Sequence, residues 1–506
     1  MPAKFSSASF EMAVRPSQQP QATERDPQGR FNIVVMGDFT GCASRGVSEP
    51  LNTRKLLPVD VDNFTRVFAQ LGAKLKLTGA GIPAGGLELT FVSLDDFHPD
   101  QLLVRVASLA KLAEARRLVL NPATAEQGKV ALQSLLGAAI TPPTSQPTSA
   151  TSAVTSPAPE SDDDTMSRLL GGTPPAAQQS PAPSSQVEQF IRQVVAPHIS
   201  PAPGAWLSSA LAVAEMELTS QLNVILHHPD FQSLEAAWHS VDLLVRRIES
   251  SEEIGVLLLD VSLAELQADF GTHEQAEQSA LFRLLRDRKP RLLIGTYTFG
   301  QSSEDLHALG KLAEIATRLS SPFVATAAPQ LVGCDSFALH PDPDDWKLKL
   351  PADLAELWET LRQSPHAQHV GLAAPRFLLR QPYGKTGDPI ETFPFEELPG
   401  EPAHESFLWG HSAILCACAA IDALQSGDTE LAEFTGGEIS DLPVHKYTEH
   451  GEVVVKPYAE AWLTDRAVAQ MLDRGVMPVV PVKNQNAIRL NHLRSIARES
   501  IALSLG

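Results

Sequence analysis

Residues 221–245, QLNVILHHPDFQSLEAAWHSVDLLV, constrain the architecture more than any other stretch of the chain. Leading into it, Leu207, Leu211, Leu218, Leu222 and Ile225 recur at helical spacing and share one face. His227, His228 and Pro229 end that helix, because proline lacks an amide hydrogen and its ring clashes with the preceding turn. Phe231, Leu234, Trp238, Val241 and Val245 then restart the apolar stripe. The pattern predicts two helices joined at a sharp corner, with Phe231 and Trp238 as its buried anchors.

Downstream, strand and helix patterns alternate. Ile254–Asp260 reads as a buried strand, Ser262 and Glu265 as the capping box of the next helix. Residues 291–295 read as a strand, 304–319 as a helix and 323–327 as another strand. This order implies an α/β (α+β) fold, a mixed sheet covered by helices. Upstream, Phe31–Gly37, FNIVVMG, reads as a buried strand ending in a glycine turn, Gly37-Asp38-Phe39-Thr40-Gly41. Asp60 or Asp62 can cap a helix whose buried face carries Phe64, Val67, Phe68 and Leu71. Leu87, Leu89 and Phe91 alternate with polar residues, as in a strand buried on one face. A single long amphipathic helix is predicted through Leu102, Val106, Leu109, Leu112 and Leu118.

The remaining segments differ in composition. Residues 1–30 are polar and rich in Pro and Gln, as expected of a flexible arm. Residues 137–186 are dominated by Pro, Ser, Thr, Ala and Gln, which predicts a disordered linker. Within it, Met166, Leu169 and Leu170 follow three aspartates and precede Gly171-Gly172. They form either a slightly sticky piece of linker or a short helical recognition motif. Residues 187–195 have a clean helical apolar face.

Charge and motif content remove several classes of function. A net charge of −20 argues against coating nucleic acid, which needs clustered Lys and Arg. The first twenty residues lack a signal-peptide apolar run, and no stretch approaches the roughly 18 apolar residues of a membrane span. The four cysteines suit a reduced, cytoplasmic protein. Cys416 and Cys418 lack metal or redox spacing and fit core packing. His227 and His228 diverge on a helix, and His366 and His369 have no third ligand. The Gly37 to Gly41 turn lacks the Lys-Ser/Thr of a phosphate loop. Asp38, Asp95, Asp96 and Asp465 fit caps and turns. Arg376 and Arg380 fit buried ion pairs or subunit contacts; Glu396 and Glu397 lead to Phe407, Leu408 and Trp409, with Trp409 a further core anchor. The expectation is a protein without catalytic, cofactor or metal site.

Two groups of phrases resemble one system. GDFTG, LNTRKLLPVDVDNF and SLDDFHPDQL, in this order over residues 28–120, resemble the small subunit of the bacterial type VI secretion contractile sheath. ILHHP with the following Phe231, Leu234 and Trp238, then LLIGTYTFG, SPFVATAAPQLVGCDSF, HVGLAAPRFLLRQPYG, FPFEE, FLWG, GEISDLPVHKY and TDRAVAQMLDRGVMPVVPVKN, resemble its large subunit over residues 187–486. The resemblance implies small-subunit-like (31–136) and large-subunit-like (187–486) segments, co-folded into one phage-tail-sheath-like body and joined by the 137–186 linker. It implies a structural sheath subunit of a bacterial cytoplasm, with self-assembly or other sheath subunits, the inner tube, the baseplate and a ring-shaped AAA+ recycling unfoldase as partners. The unfoldase would read Met166, Leu169 and Leu170. The family continues well beyond Lys483-Asn484, whereas here QNAIRLNHLRSIARESIALSLG remains, read as one C-terminal helix over 487–506. That departure makes a non-polymerising cap, baseplate-associated or regulatory protein the alternative.

Overall fold

The computed structural model describes residues 30–137, 203–248, 253–273, 275–385, 387–399, 403–426, 437–449, 452–455, 458–483, 485–499 and 501–503. The expected N-terminal arm, the linker with Met166, Leu169 and Leu170, and the helix over 187–195 lie outside these residues.

Hydrophobic runs bounded by turns build one nine-stranded sheet. Its strands are β1 (Phe31–Gly37), β2 (Leu57–Val59), β5 (Ile254–Asp260), β6 (Leu292–Phe299), β7 (Phe323–Ala327), β8 (Val370–Ala374), β11 (Gly437–Ser440), β14 (Met477–Pro481) and β15 (Ala487–Leu490). They lie in the order β11-β15-β14-β8-β7-β6-β1-β5-β2. The six from β14 to β5 are parallel; β2 at one edge and β15 and β11 at the other run antiparallel to their neighbours. Three two-stranded ribbons stand apart: β3 (Lys74–Leu77) with β4 (Leu87–Thr90), β9 (Phe377–Leu378) with β10 (Trp409–Gly410), and β12 (Lys446–Glu449) with β13 (Glu452–Val455).

The N-terminal segment is threaded into the sheet of the C-terminal one. β1 pairs with β5 from Phe31↔Ile254 to Gly37↔Asp260, and with β6 from Ile33↔Leu292 to Met36↔Gly295. Period-two alternation then serves two cores. Ile33 and Val35 point into one cluster, Val34 and Met36 into the other. A strand buried on both faces must read as a continuous apolar run, as FNIVVMG does.

Helices cover both faces. On the Ile33 side lie α2 (Phe64–Leu71), α3 (Pro99–Arg105), α4 (Ala107–Leu120), α5 (Ala125–Leu136), α6 (Pro203–Leu226), α7 (Pro229–Ile248) and α12 (Ser412–Gln425). On the Val34 side lie α8 (Leu263–Gly271), α9 (Ala280–Arg286), α10 (Ser303–Leu319), α11 (Ala352–Gln363) and α13 (Asp465–Asp473). The short α1 (Cys42–Arg45) follows the glycine turn. The helix–corner–helix of residues 221–245 is α6 and α7, broken between Leu226 and Pro229, with Phe231 and Trp238 fully buried. Ser262 and Glu265 form the capping box of α8.

Three local expectations are corrected. The single helix through Leu118 is two helices, because Val106 is extended (φ −85°, ψ 112°) and buries its side chain. Neither Asp60 nor Asp62 is the N-cap of α2; Asn63 holds that position and exchanges hydrogen bonds with Asp60. Residues 487–506 do not form a helix where described. Ala487–Leu490 is strand β15, pairing with both β14 and β11. Ile488 and Leu490 are buried on either side of exposed Arg489, so period two prevails and sheet pairing overrides the apparent amphipathic helix.

Candidate functional site

Of the residues singled out from sequence, the Gly37 to Gly41 turn with Asp38, and His228, Phe231 and Trp238, gather along the seam between the two segments. β1 ends at Gly37, and the chain must turn at once onto the Ile33 face. A Cβ at Gly37 would collide with the Thr296 hydroxyl on β6. Gly41 has φ +68° and lies against the Lys74 carbonyl, where only glycine fits without strain. Asp38 accepts the amides of Cys42 and Ala43 at 2.8 and 2.9 Å, starting α1.

Asp260, the last residue of β5, receives this turn. Its carboxylate accepts the Phe39 amide at 2.8 Å, the Thr40 amide at 3.1 Å and the Thr40 hydroxyl at 2.9 Å. Arg54 pairs with the same carboxylate and donates to the Asp260 carbonyl at 2.8 Å. It also reaches Glu265 at 2.8 Å, the capping-box acid of α8. Asp260 is 7% exposed. Burial pushes its carboxyl up, with Arg54 and the Thr40 hydrogen bond opposing that. A buried carboxylate at the end of an apolar strand is thus answered entirely by the other segment.

Beside this turn Trp238 organises an aromatic cluster. Its Nε1 donates to the Phe39 carbonyl at 2.9 Å. Its ring packs on Phe39, Phe64 and Phe68 with centroids 5.4, 5.8 and 4.0 Å away. Phe231, one end of the same helix, meets Phe91 and Phe97 at 5.9 and 5.5 Å. Five of these seven rings come from the N-terminal segment, so the corner of residues 221–245 is the bed on which that segment lies. His228 joins in at the corner. Its Nδ1 accepts the Asp230 amide at 3.2 Å as helix cap, and its Nε2 lies 3.1 Å from the Thr78 carbonyl. Farther along, Asp100 accepts the Glu391 amide at 2.9 Å and the Thr392 hydroxyl at 2.7 Å. Arg116 holds Glu215 at 2.6 Å.

The remaining charged residues are internal braces. Arg380 donates to Glu235 at 2.6 Å and Glu397 at 2.8 Å, and lies 4.1 Å over the Tyr383 ring. Glu397 also accepts the Tyr383 amide at 2.7 Å; against the effect of burial, Arg380 and His227 hold it down at about 2. Arg376 donates to Glu460 at 2.8 Å and Glu405 at 3.0 Å. His404, Glu405 and Glu460 bring ligand atoms within 4.8 Å of one another, and the guanidinium already sits among them as counter-ion. Trp409 is 7% exposed in a small cluster with Leu378 and Phe407, its Nε1 donating to the His404 carbonyl at 2.8 Å. His366 and His369 both meet the Thr317 hydroxyl, at 3.0 and 3.3 Å. Cys416 and Cys418 are buried in α12, where burial pushes the Cys418 thiol up to about 12. Asp96 caps its own turn and pairs with Arg105, and Glu396 accepts the Lys385 amide at 3.1 Å. Arg54, Asp100, Arg116 and Asp260 are seam residues missed from sequence; for Asp260 the available signal was a carboxylate closing the run IGVLLLD.

Known proteins divide the chain at the same place. The family of VipB, a tail sheath N-terminal domain, matches residues 208–497, more than half of the chain. The type VI secretion system VipA family matches residues 22–149. The type VI secretion system sheath protein TssC1 of Pseudomonas aeruginosa is 31% identical over 301 residues, 55% of this chain and 59% of TssC1. The sheath protein TssB1 of the same organism is 32% identical over 124 residues, 24% of this chain and 72% of TssB1. The chain therefore spans less than two thirds of the length of TssC1.

Proposed function

Because the chain belongs to the type VI secretion sheath family, a small-subunit segment fused ahead of a large-subunit one, we infer that it is a structural subunit of a contractile sheath that works without catalysis. The observation that carries this is β1, lying between β5 and β6. It supports a protomer in which one polypeptide supplies both subunits at fixed one-to-one stoichiometry. Covalent linkage also holds the two segments at an effective concentration of about millimolar. Their charged and aromatic residues serve the seam and the core, as a mechanical part needs. The polymer would gain stability from many repeated contacts and switch cooperatively between long and short forms. Among the described residues no helix is long and apolar enough to cross a membrane. The reading extends to a cytoplasmic location and to the inner tube and baseplate as partners.

The same reading assigns Met166, Leu169 and Leu170 to a recycling unfoldase. They are clustered apolar side chains at i, i+3 and i+4 in a polar stretch, behind three aspartates that favour a helix start. A synthetic peptide of residues 161–173 should bind the unfoldase's N-terminal domain, and a Leu169→Asp, Leu170→Asp version should not; equal binding by both ends that assignment. Negative-stain microscopy of the purified chain tests the sheath itself. Hollow tubes are expected, and monomers or small rings at every concentration and salt would count against it.

A further inference from the structure

Residues 283–291, RLLRDRKPR, hold five cations against one carboxylate, in a chain whose net charge is −20. They end α9 and lead into β6, so they sit at the N-terminal edge of the sheet. Arg286, Arg288 and Lys289 are exposed, and among the described residues Arg286 pairs with its exposed neighbour Asp287, at 3.2 Å.

At the other end of β6 and β7 lies a polar cavity of about 280 Å³ lined in part by Thr298, Gln330, Asp335, Arg376, Glu405 and Glu460. The C-terminal edge of parallel strands is where open α/β sheets form binding crevices. Arg376 is the lone cation among these six residues, facing three carboxylates, so they carry net negative charge. It is engaged by Glu460 at 2.8 Å and by Glu405 at 3.0 Å, and Asp335 lies 3.5 Å from His340, yet the Asp335 and Glu405 side chains remain 61% and 73% exposed. The Gln330 Oε1 is buried and has no hydrogen-bond partner among the described residues. Two largely exposed carboxylates beside an unpaired buried amide oxygen suit a further cationic hydrogen-bond donor, a Lys or Arg side chain.

We propose that this cavity receives the basic turn at Arg288 and Lys289 of a second copy of the chain. The proposal rests on the self-assembling reading above and names one contact within it. The two complementary surfaces lie at opposite ends of an eight-residue strand, about 25 Å apart. A contact between opposite ends of identical molecules is heterologous, and repeats head to tail instead of closing on a twofold axis. Exposed ion pairs are individually weak, so this contact sets polarity, register and association rate, and gains from repetition.

Charge reversal in the full chain tests it. One variant carries Asp335→Lys and Glu405→Lys, the other Arg288→Glu and Lys289→Glu, with thermal melting of each as the folding control. By sedimentation and microscopy at low salt, each variant alone should need at least tenfold more protein to assemble. An equimolar mixture should assemble like the wild type, since each reversed surface then meets its complement. Asp335→Lys alone, which leaves the Arg376 pairs intact, should give an intermediate loss. Tubes that form equally well from either variant overturn the contact and leave the sheath reading standing. Short oligomers that obey the charge rule without forming tubes support the contact and overturn the sheath reading. A wild type that stays monomeric, or a mixture that fails to recover assembly, overturns the contact.

Discussion

The indole Nε1 of Trp238 donates to the carbonyl oxygen of Phe39 at 2.9 Å, across 199 residues of sequence. A buried carbonyl left without a donor costs about 1–3 kcal/mol, and emptying an aromatic core site costs about 3–5 kcal/mol. Trp238→Ala should therefore lower stability by about 3–5 kcal/mol in denaturant unfolding. Trp238→Phe, which keeps much of the ring packing and loses the hydrogen bond, should cost less. An alanine variant with an unchanged midpoint would remove Trp238 from the seam.

Asp260 and Arg54 form the polar counterpart of that contact. Removing one member of a buried pair strands the other, at about 3–5 kcal/mol. Arg54→Ala should show this loss, because Asp260 would keep its Phe39 and Thr40 donors but no cation. Asp260→Ala should be as damaging, since it strands Arg54 and those donors together. Chemical denaturation of both variants is the measurement; losses below about 1 kcal/mol would make this an ordinary surface pair.

Acid should weaken the fold in two windows. Burial, with Arg380 and Arg246 beside His239 and Arg376 beside His411, lowers both imidazoles from the usual 6.5 to about 4. The unfolded chain takes up these protons below pH 6.5 and the folded chain does not, so stability is full above 6.5 and declines towards 4. The slope is about 1.4 kcal/mol per pH unit for each histidine. Glu397 and Glu460, held at about 2 against burial by Arg380 and His227 and by His404 and Arg376, add stability present above 4.5 and lost towards 2. Unfolding midpoints at pH 7, 5.5 and 4.5 should fall for the wild type. They should fall less steeply for a His239→Gln, His411→Gln double variant; equal slopes would exclude these histidines.

A protease site inserted between residues 140 and 186 should leave the halves together after cutting. The strand pairing of β1, the Asp260 cluster and the aromatic bed all join residues 30–137 to residues beyond 203. The cut protein should elute from gel filtration as one species containing both fragments. Separation of the fragments in native buffer would show that the covalent connection, not the seam, holds them.

Much of this was legible because local periodicity and local chemistry agreed. The corner at Pro229, the apolar runs of β1, β5 and β7, and the Ser262–Glu265 capping box are decided by residues a few positions apart. The pairing of β1 with strands more than 200 residues later has no local signature, nor has the choice of Arg54 as partner for Asp260. The break at Val106 and the strand at Ala487–Leu490 were misread because the pattern there suits a helix until packing is known. Arg376 and Arg380 were recognisable as ion-pairing residues, but their partners are up to 145 positions away.

Native-state hydrogen exchange on Phe31–Gly37 tests the central claim most directly. If β1 is an inner strand of the common sheet, its amides open only with the whole body. They should exchange in the slowest class, with the same free energy and denaturant dependence as the amides of β5 and β6. Exchange of β1 through a separate, lower-energy opening, while β5 and β6 stay protected, would contradict it: the N-terminal segment would then be an appendage on a sheet complete without it.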